Sequence, residues 1–122
     1  MVTVSENAVN QASDSSVCNL KAGDVIRLRD LLYGLMLRSG NDAAVAIAEY
    51  ISGDVDSFAA LMNQEAAAMG ATRSHFVNPN GLPDENHYTC VYDMYLIFPM
   101  RSKTIPLYPS SAQPPTMLPI PT

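Results

Sequence analysis

The sequence predicts a mainly α fold with a minor β contribution, on three observations. Apolar residues recur with helical period at Leu28, Leu31, Leu32 and Leu35, and again further along the chain. Alternating β-branched residues are confined to Val2-Thr3-Val4-Ser5. Turn chemistry falls between these segments, and it is densest at Asn78-Pro79-Asn80-Gly81-Leu82-Pro83-Asp84.

Taken in order, Val2-Thr3-Val4-Ser5 predicts a short strand, residues 13–19 a turn-rich stretch, and Leu20-Lys21-Ala22-Gly23-Asp24 a turn. Val25-Ile26 adds one more extended pair. A helix then covers about residues 28–38. Arg38 lies in its last turn, and Gly40 is expected to be the left-handed residue that ends it. A second helix, about residues 42–52, sets Val45, Ala48 and Ile51 or Ser52 on one face and stops at Gly53. The third starts near Asp54 or Asp56, whose carboxylates suit a helix N-terminus. Its apolar face is Phe58, Leu61, Met62, Ala66 and Met69, and Gly70 stops it. After an irregular stretch over 71–89, Thr89 is placed to cap a fourth helix with a Val91, Met94, Tyr95 and Phe98 stripe, which Pro99 is expected to cut.

Composition divides the chain at that point. All six Gly and all twelve acidic residues precede Phe98, whereas seven of the nine Pro follow it. Residues 1–98 carry a net −7 and residues 99–122 a net +2. The expected organisation is therefore a folded unit over 1–98 and a Pro-rich tail over 99–122, disordered or non-homologous. A net charge of −5 over 122 residues offers no electrostatic footprint for nucleic acid. No apolar run approaches the roughly 20 residues that span a bilayer, and the first ten residues lack the basic and apolar regions of a signal peptide. Cys18 and Cys90 form no CxxC pair and fit buried free thiols better than a disulfide scaffold or zinc site.

The segment that can carry chemistry is Leu31-Leu32-Tyr33-Gly34-Leu35-Met36-Leu37-Arg38-Ser39-Gly40-Asn41-Asp42-Ala43-Ala44. One reading is structural: Gly40 ends a helix, Ser39 or Asn41 caps the next, and Ser39 and Asp42 have capping-box spacing. The other is functional: Ser39 and Asn41 project together from a tight interhelical turn, a hydroxyl to relay a proton beside a carboxamide to hold a substrate amide. No base lies beside Ser39 in sequence to make it a nucleophile by itself.

The whole run closely resembles the D-alanyl-D-alanine carboxypeptidases, the low-molecular-mass penicillin-binding proteins of serine peptidase family S11. The resemblance extends to Phe76-Val77-Asn78-Pro79-Asn80-Gly81-Leu82 and to His87-Tyr88-Thr89-Cys90, in family order, and covers about residues 2–98. It implies the helical portion of a β-lactamase/transpeptidase-like α/β fold, incomplete here. It also implies acyl-enzyme chemistry on peptidoglycan stem peptides, β-lactams as further ligands, no cofactor or metal, and a cell-envelope setting outside the cytoplasm. Ser39-Gly40-Asn41 matches the family's S-x-N motif: by resemblance Ser39 relays a proton toward the leaving D-alanine, and Asn41 holds the acyl-donor peptide.

Two other family motifs have no match. No Ser is followed three residues later by Lys, as the nucleophile motif S-x-x-K requires. Lys103-Thr104-Ile105 lacks the glycine of K-T-G. The chain is accordingly expected to be a truncated piece, inactive alone, with self-association through apolar helix faces. A non-catalytic helical binding module on the same scaffold is the alternative. A class A β-lactamase piece fits less well, because of the Gly81-Leu82 and His87-Tyr88-Thr89 wording.

The remaining candidates read as structural. His75 and His87 are expected to bond loop backbone rather than a metal, and Asp84 with Glu85 to form a solvated turn. Met36, Met62, Met69 and Met94 are expected in the core. The P-x-x-P from Pro106 to Pro109 is not credited as a recognition motif.

Overall fold

The computed structural model describes residues 1–104, with side chains through Phe98. It contains strand β1 (Val2–Thr3), helix α1 (Glu6–Val9), strand β2 (Val25–Ile26) and helices α2 (Leu28–Arg38), α3 (Asn41–Ser52), α4 (Val55–Ala68) and α5 (Val91–Thr104). The two strands pair antiparallel, Val2 opposite Ile26 and Thr3 opposite Val25. The Val4 amide to the Asp24 carbonyl and the Gly23 amide to the Val4 carbonyl, both 2.8 Å, continue the pairing into the turn.

Helix α1 has no periodic signal and owes its existence to its ends. Ser5 accepts from the Ala8 amide at 3.0 Å and donates its hydroxyl to Glu49 of α3 at 2.6 Å. That bond ties the N-terminal segment to the middle of the fold, and Ala8 is buried beneath it.

Helix α3 is the axis of the molecule. Positions 42 to 48 are buried without interruption, so the one-sided face expected from Val45, Ala48 and Ile51 or Ser52 is replaced by burial all round; Ile51 is exposed and Ser52 partly buried. Four alanines between Ala43 and Ala48 make this feasible, because small side chains let β1, α1, α2 and α4 all approach the backbone. The core is Val2, Val4, Ala8, Leu31, Ala43, Val45, Ala46 and Ile47, with Leu28, Leu35, Leu20 and Val55 packed around it. Leu31 is the buried member of the α2 stripe, while Leu32 and Met36 are exposed; Met36 is not the core residue the spacing suggested.

Helix α4 begins as expected, with Asp54 accepting from the Ser57 amide at 2.6 Å. It ends in a Schellman motif: the Ala71 amide reaches the Ala66 carbonyl at 2.8 Å, the Gly70 amide reaches Ala67 at 3.0 Å, and Gly70 is left-handed at φ 82°. The following loop is fastened to α4 by Asn63, whose carboxamide donates to the Phe76 carbonyl (2.9 Å) and accepts from the Phe76 amide (2.7 Å). Its two arms meet at an isolated antiparallel bridge between His75 and Tyr88. Between them, Asn78 Oδ1 accepts from the amides of Asn80, Gly81 and Leu82, which is why this turn can project without a hydrophobic core of its own.

Helix α5 corrects three expectations. Thr89 does not cap it; the Thr89 hydroxyl shares a 2.7 Å bond with Ser74, and Cys90 sits at the cap position with its carbonyl taking the Met94 amide. Of the expected stripe, Met94 and Phe98 are partly buried while Val91 and Tyr95 are exposed; Leu96 and Ile97 are partly buried as well, and the buried residue is Asp93. Pro99 does not cut it. The helix forgoes the bond that a residue with an N–H would make at 99 and continues to Thr104. The stretch expected to be disordered or non-homologous from 99 onward thus begins inside a helix. The rest of that stretch, residues 105–122, with the P-x-x-P and the last residue of Lys103-Thr104-Ile105, lies outside the described residues. Among the described residues no helix is long and apolar enough to cross a membrane.

Candidate active-site corner

Ser39 and Asn41 lie at the junction of α2 and α3, which pack against each other and are separated by Ser39 and Gly40 alone. Helix α2 ends on Ser39 itself, which is left-handed at φ 51°, ψ 41°. Gly40 is not the left-handed residue; its φ is −69°, a conformation open to any side chain. The Ser39 and Gly40 amides both turn back to the Gly34 carbonyl, the latter at 3.3 Å. A serine in the left-handed region is an uncommon and costly choice. It leaves the Ser39 side chain exposed, with no hydrogen bond to its hydroxyl among the described residues.

Gly40 is required for a different reason. A Cβ there would collide with Cys18 Sγ and come within 3.1 Å of Asp42 Oδ1. A Cβ on Gly34 would stand 2.8 Å from the same sulfur. The two glycines form a slot for the Cys18 side chain, which seats the preceding loop against the α2–α3 turn. Cys18 and Cys90 are both free thiols, half-buried rather than fully buried. Burial pushes the Cys18 thiol above its ordinary range, the Asp42 charge adds to this, and Arg38 opposes it.

Neither Ser39 nor Asn41 caps α3. Gly40 holds that position without a side-chain bond. Asn41 instead reaches across to Ser16: its amide and its Nδ2 donate to the same Ser16 carbonyl, at 2.9 Å and 3.0 Å. Asp42 makes no capping box with Ser39. Its carboxylate, 2% exposed, accepts from the Cys18 amide (2.8 Å), the Leu20 amide (3.0 Å) and its own neighbour Ala43 (2.9 Å). A buried carboxylate is tolerated when N–H donors surround it, as they do here at the positive end of α3. Sequence spacing points to a local cap, and no local pattern signals a partner more than twenty residues away.

The other candidates are placed as structural. His75 Nδ1 contacts the Asn86 carbonyl, and His87 Nδ1 accepts from the Val77 amide at 3.0 Å. Asp84 and Glu85 are exposed, and Asp84 accepts from the Asn86 amide at 2.8 Å. Lys103 and Thr104 end α5, not a strand.

What the corner offers chemically is an exposed hydroxyl beside a carboxamide fixed through one of its own protons. Asn41 Oδ1 and its second Nδ2 proton are left for a partner.

Comparison with known proteins identifies the family of the chain. The family model for D-alanyl-D-alanine carboxypeptidase, Peptidase S11, matches residues 1–110, beyond the Phe98 boundary drawn by composition. The chain is 38% identical over 96 residues to D-alanyl-D-alanine carboxypeptidase DacF of Bacillus subtilis, covering 79% of this chain and 24% of that protein. It is 40% identical over 98 residues to DacA of Haemophilus influenzae, covering 80% and 25%. Among solved structures, DacD of Francisella tularensis superposes with a TM-score of 0.82 at 41% identity, over 88% of this chain and 25% of that one. Penicillin binding protein 5 of H. influenzae gives the same TM-score at 37% identity, over 88% and 31%. The chain thus spans about a quarter of the length of these two curated relatives, and its helices are a helical portion of the penicillin-binding-protein fold. With the family model matched over residues 1–110 and these relatives matching most of its length, the chain belongs to the D-alanyl-D-alanine carboxypeptidase family, peptidase family S11.

Proposed function

We propose that this chain carries the S-x-N corner of a serine-type D-Ala-D-Ala carboxypeptidase site, with Ser39 and Asn41 as its catalytic contributions. In the reaction a serine hydroxyl attacks the carbonyl between the two terminal D-alanines of a peptidoglycan stem peptide, giving up its proton to a base. The C–N bond breaks, the departing D-alanine amine takes a proton, and water then hydrolyses the ester. Ser39 passes the proton toward the departing amine, and the free Nδ2 proton of Asn41 donates to the acyl-donor peptide. β-Lactams acylate the same nucleophile. The observation that carries the reading is the exposed left-handed Ser39 beside a carboxamide pinned on Ser16.

No Ser in this chain has Lys three residues on, so the nucleophile and its base come from outside this sequence and the isolated chain is inactive. Two measurements test this. Incubated with fluorescent penicillin, the purified chain takes no covalent label; a labelled band overturns the missing nucleophile. A chimera of the B. subtilis relative carrying residues 28–52 of this chain retains labelling, and Asn41→Ala in it slows acylation by on the order of 10². An Asn41→Ala chimera labelled at the parent rate overturns the role of the corner.

The same reading implies a cell-envelope setting. The exposed Tyr33, Met36, Leu37 and Val91 support self-association of the isolated chain, which sedimentation at increasing concentration checks.

A further inference from the structure

Residues 16–20 lie against the S-x-N turn and meet it at three points. The Ser16 carbonyl takes both donors of Asn41. Cys18 Sγ occupies the slot between Gly34 and Gly40. The Cys18 and Leu20 amides go to opposite oxygens of Asp42, Oδ1 and Oδ2. Between those two amides Asn19 is left-handed, at φ 59°, and this bend aims both N–H groups at one carboxylate. The carboxylate is buried with no ion-pair partner among the described residues, so its burial is supported by these N–H donors.

These contacts form a chain of constraint. Asn41 is held by a backbone carbonyl, and a carbonyl in a loop is only as well placed as the loop. The loop's nearest polar anchor is Asp42, the residue after Asn41 itself. From this we infer that Asp42 is a positioning residue for Asn41: its carboxylate sets residues 16–20, and the Ser16 carbonyl, so placed, fixes the plane of the Asn41 carboxamide and leaves Oδ1 and one Nδ2 proton presented outward. The residue touches no reacting atom; its consequence for chemistry rests on the acyl-transfer reading above, whereas the coupling itself does not.

The coupling is tested in the full chain by solvent-exchange NMR on the Asn41 carboxamide. In the unsubstituted protein one Asn41 Nδ2 proton exchanges roughly tenfold more slowly than those of the exposed Asn10, as expected for one hydrogen bond. Asp42→Asn preserves shape but cannot accept from both loop amides. It abolishes that protection together with the protection of at least one of the Cys18 and Leu20 amides, while Ala46, Ile47 and Ala48 stay protected. A purely structural Asp42 would change all of these together. Should Asp42→Asn unfold the core, Asp42→Glu, with its charge kept and its oxygens moved by one methylene, gives the same comparison. An unprotected Asn41 carboxamide in the unsubstituted protein overturns the inference. So does a variant in which the Cys18 or the Leu20 amide is released and Asn41 stays protected. Penicillin enters neither measurement, so failure here and failure of the acyl-transfer reading are separate results.

Discussion

Helices α3 and α5 start with the same device and end in different surroundings. Each places a buried aspartate in its first turn, Asp42 at 2% exposure and Asp93 at 1%, and each aspartate reaches back some twenty residues to hold a loop. Asp93 accepts from the Arg73 amide at 2.9 Å and the Ser74 hydroxyl at 2.7 Å, and Asp42 accepts from Cys18 and Leu20. Beyond the first turn the two diverge. Helix α3 is enclosed by β1, α1, α2 and α4. Helix α5 rests Ile97 against a cleft of about 260 Å³ that Phe58, Leu61, Met62 and Phe76 also line, and it leaves Val91, Tyr92 and Tyr95 exposed, Val91 at 87%. A carboxylate clamp fixes where a helix begins and which loop it holds. It does not determine whether the rest of the helix is covered.

Removing the two clamps is the strongest way to break this comparison. Asp42→Ala orphans two loop amides in an enclosed setting and is expected to lower stability by about 3 kcal/mol. Asp93→Ala orphans one amide and a hydroxyl that retains Thr89 as partner, and about 1.5 kcal/mol is expected. Urea unfolding midpoints at unchanged slope measure both. Equal losses would mean that enclosure adds nothing to the clamp.

The next effect isolates packing from hydrogen bonding. Gly40→Ala puts a methyl into Cys18 Sγ and should cost about 1–3 kcal/mol as an overpacked site. Adding Cys18→Ala removes the sulfur, so the double variant should recover part of the loss. Strictly additive losses would place the clash on Asp42 Oδ1 or the Gly34 carbonyl instead.

The smallest effect concerns the thiol in that slot. Because burial first and the Asp42 charge second raise the Cys18 thiol, iodoacetamide at pH 8 should modify it several-fold more slowly than free cysteine. A raised folded-state value means the neutral thiol favours folding: that contribution is complete below the ordinary thiol range and is lost as pH rises through the raised value. Arg38→Ala removes the opposing charge and should slow modification further, read by mass spectrometry of the Cys18 peptide. Modification at the free-cysteine rate would show the slot to be open.

Much of the outline was legible because it depends on local chemistry. Leu28 to Arg38, the stops at Gly53 and Gly70 and a helix start near Asp54 or Asp56, which the structure resolves to an Asp54 cap, follow from period, capping oxygens and glycine's conformational freedom. The Ser39-Gly40-Asn41 wording was legible too, and with it the family. What failed did so for identifiable reasons. Gly40 reads as a helix stop, yet it is glycine because of a sulfur that arrives from residue 18. Val91 and Tyr95 fit a period that selects no partner, and the buried residue of α5 is Asp93 instead. Pro99 costs one hydrogen bond, which a helix can forgo.

The sequence by itself determined helices α2 to α5 in outline, the acidic start of α4, the turn chemistry at Asn78 and the place of Ser39-Gly40-Asn41 between two helices, because those depend on residues within a few positions of one another. Only the tertiary structure decided that Ser39 is the left-handed residue, that Asn41 rests on Ser16 and that Asp42 serves a loop instead of a cap. Those outcomes depend on groups twenty or more residues apart. A buried carboxylate or a crowded methyl has no energy until the fold supplies its neighbours.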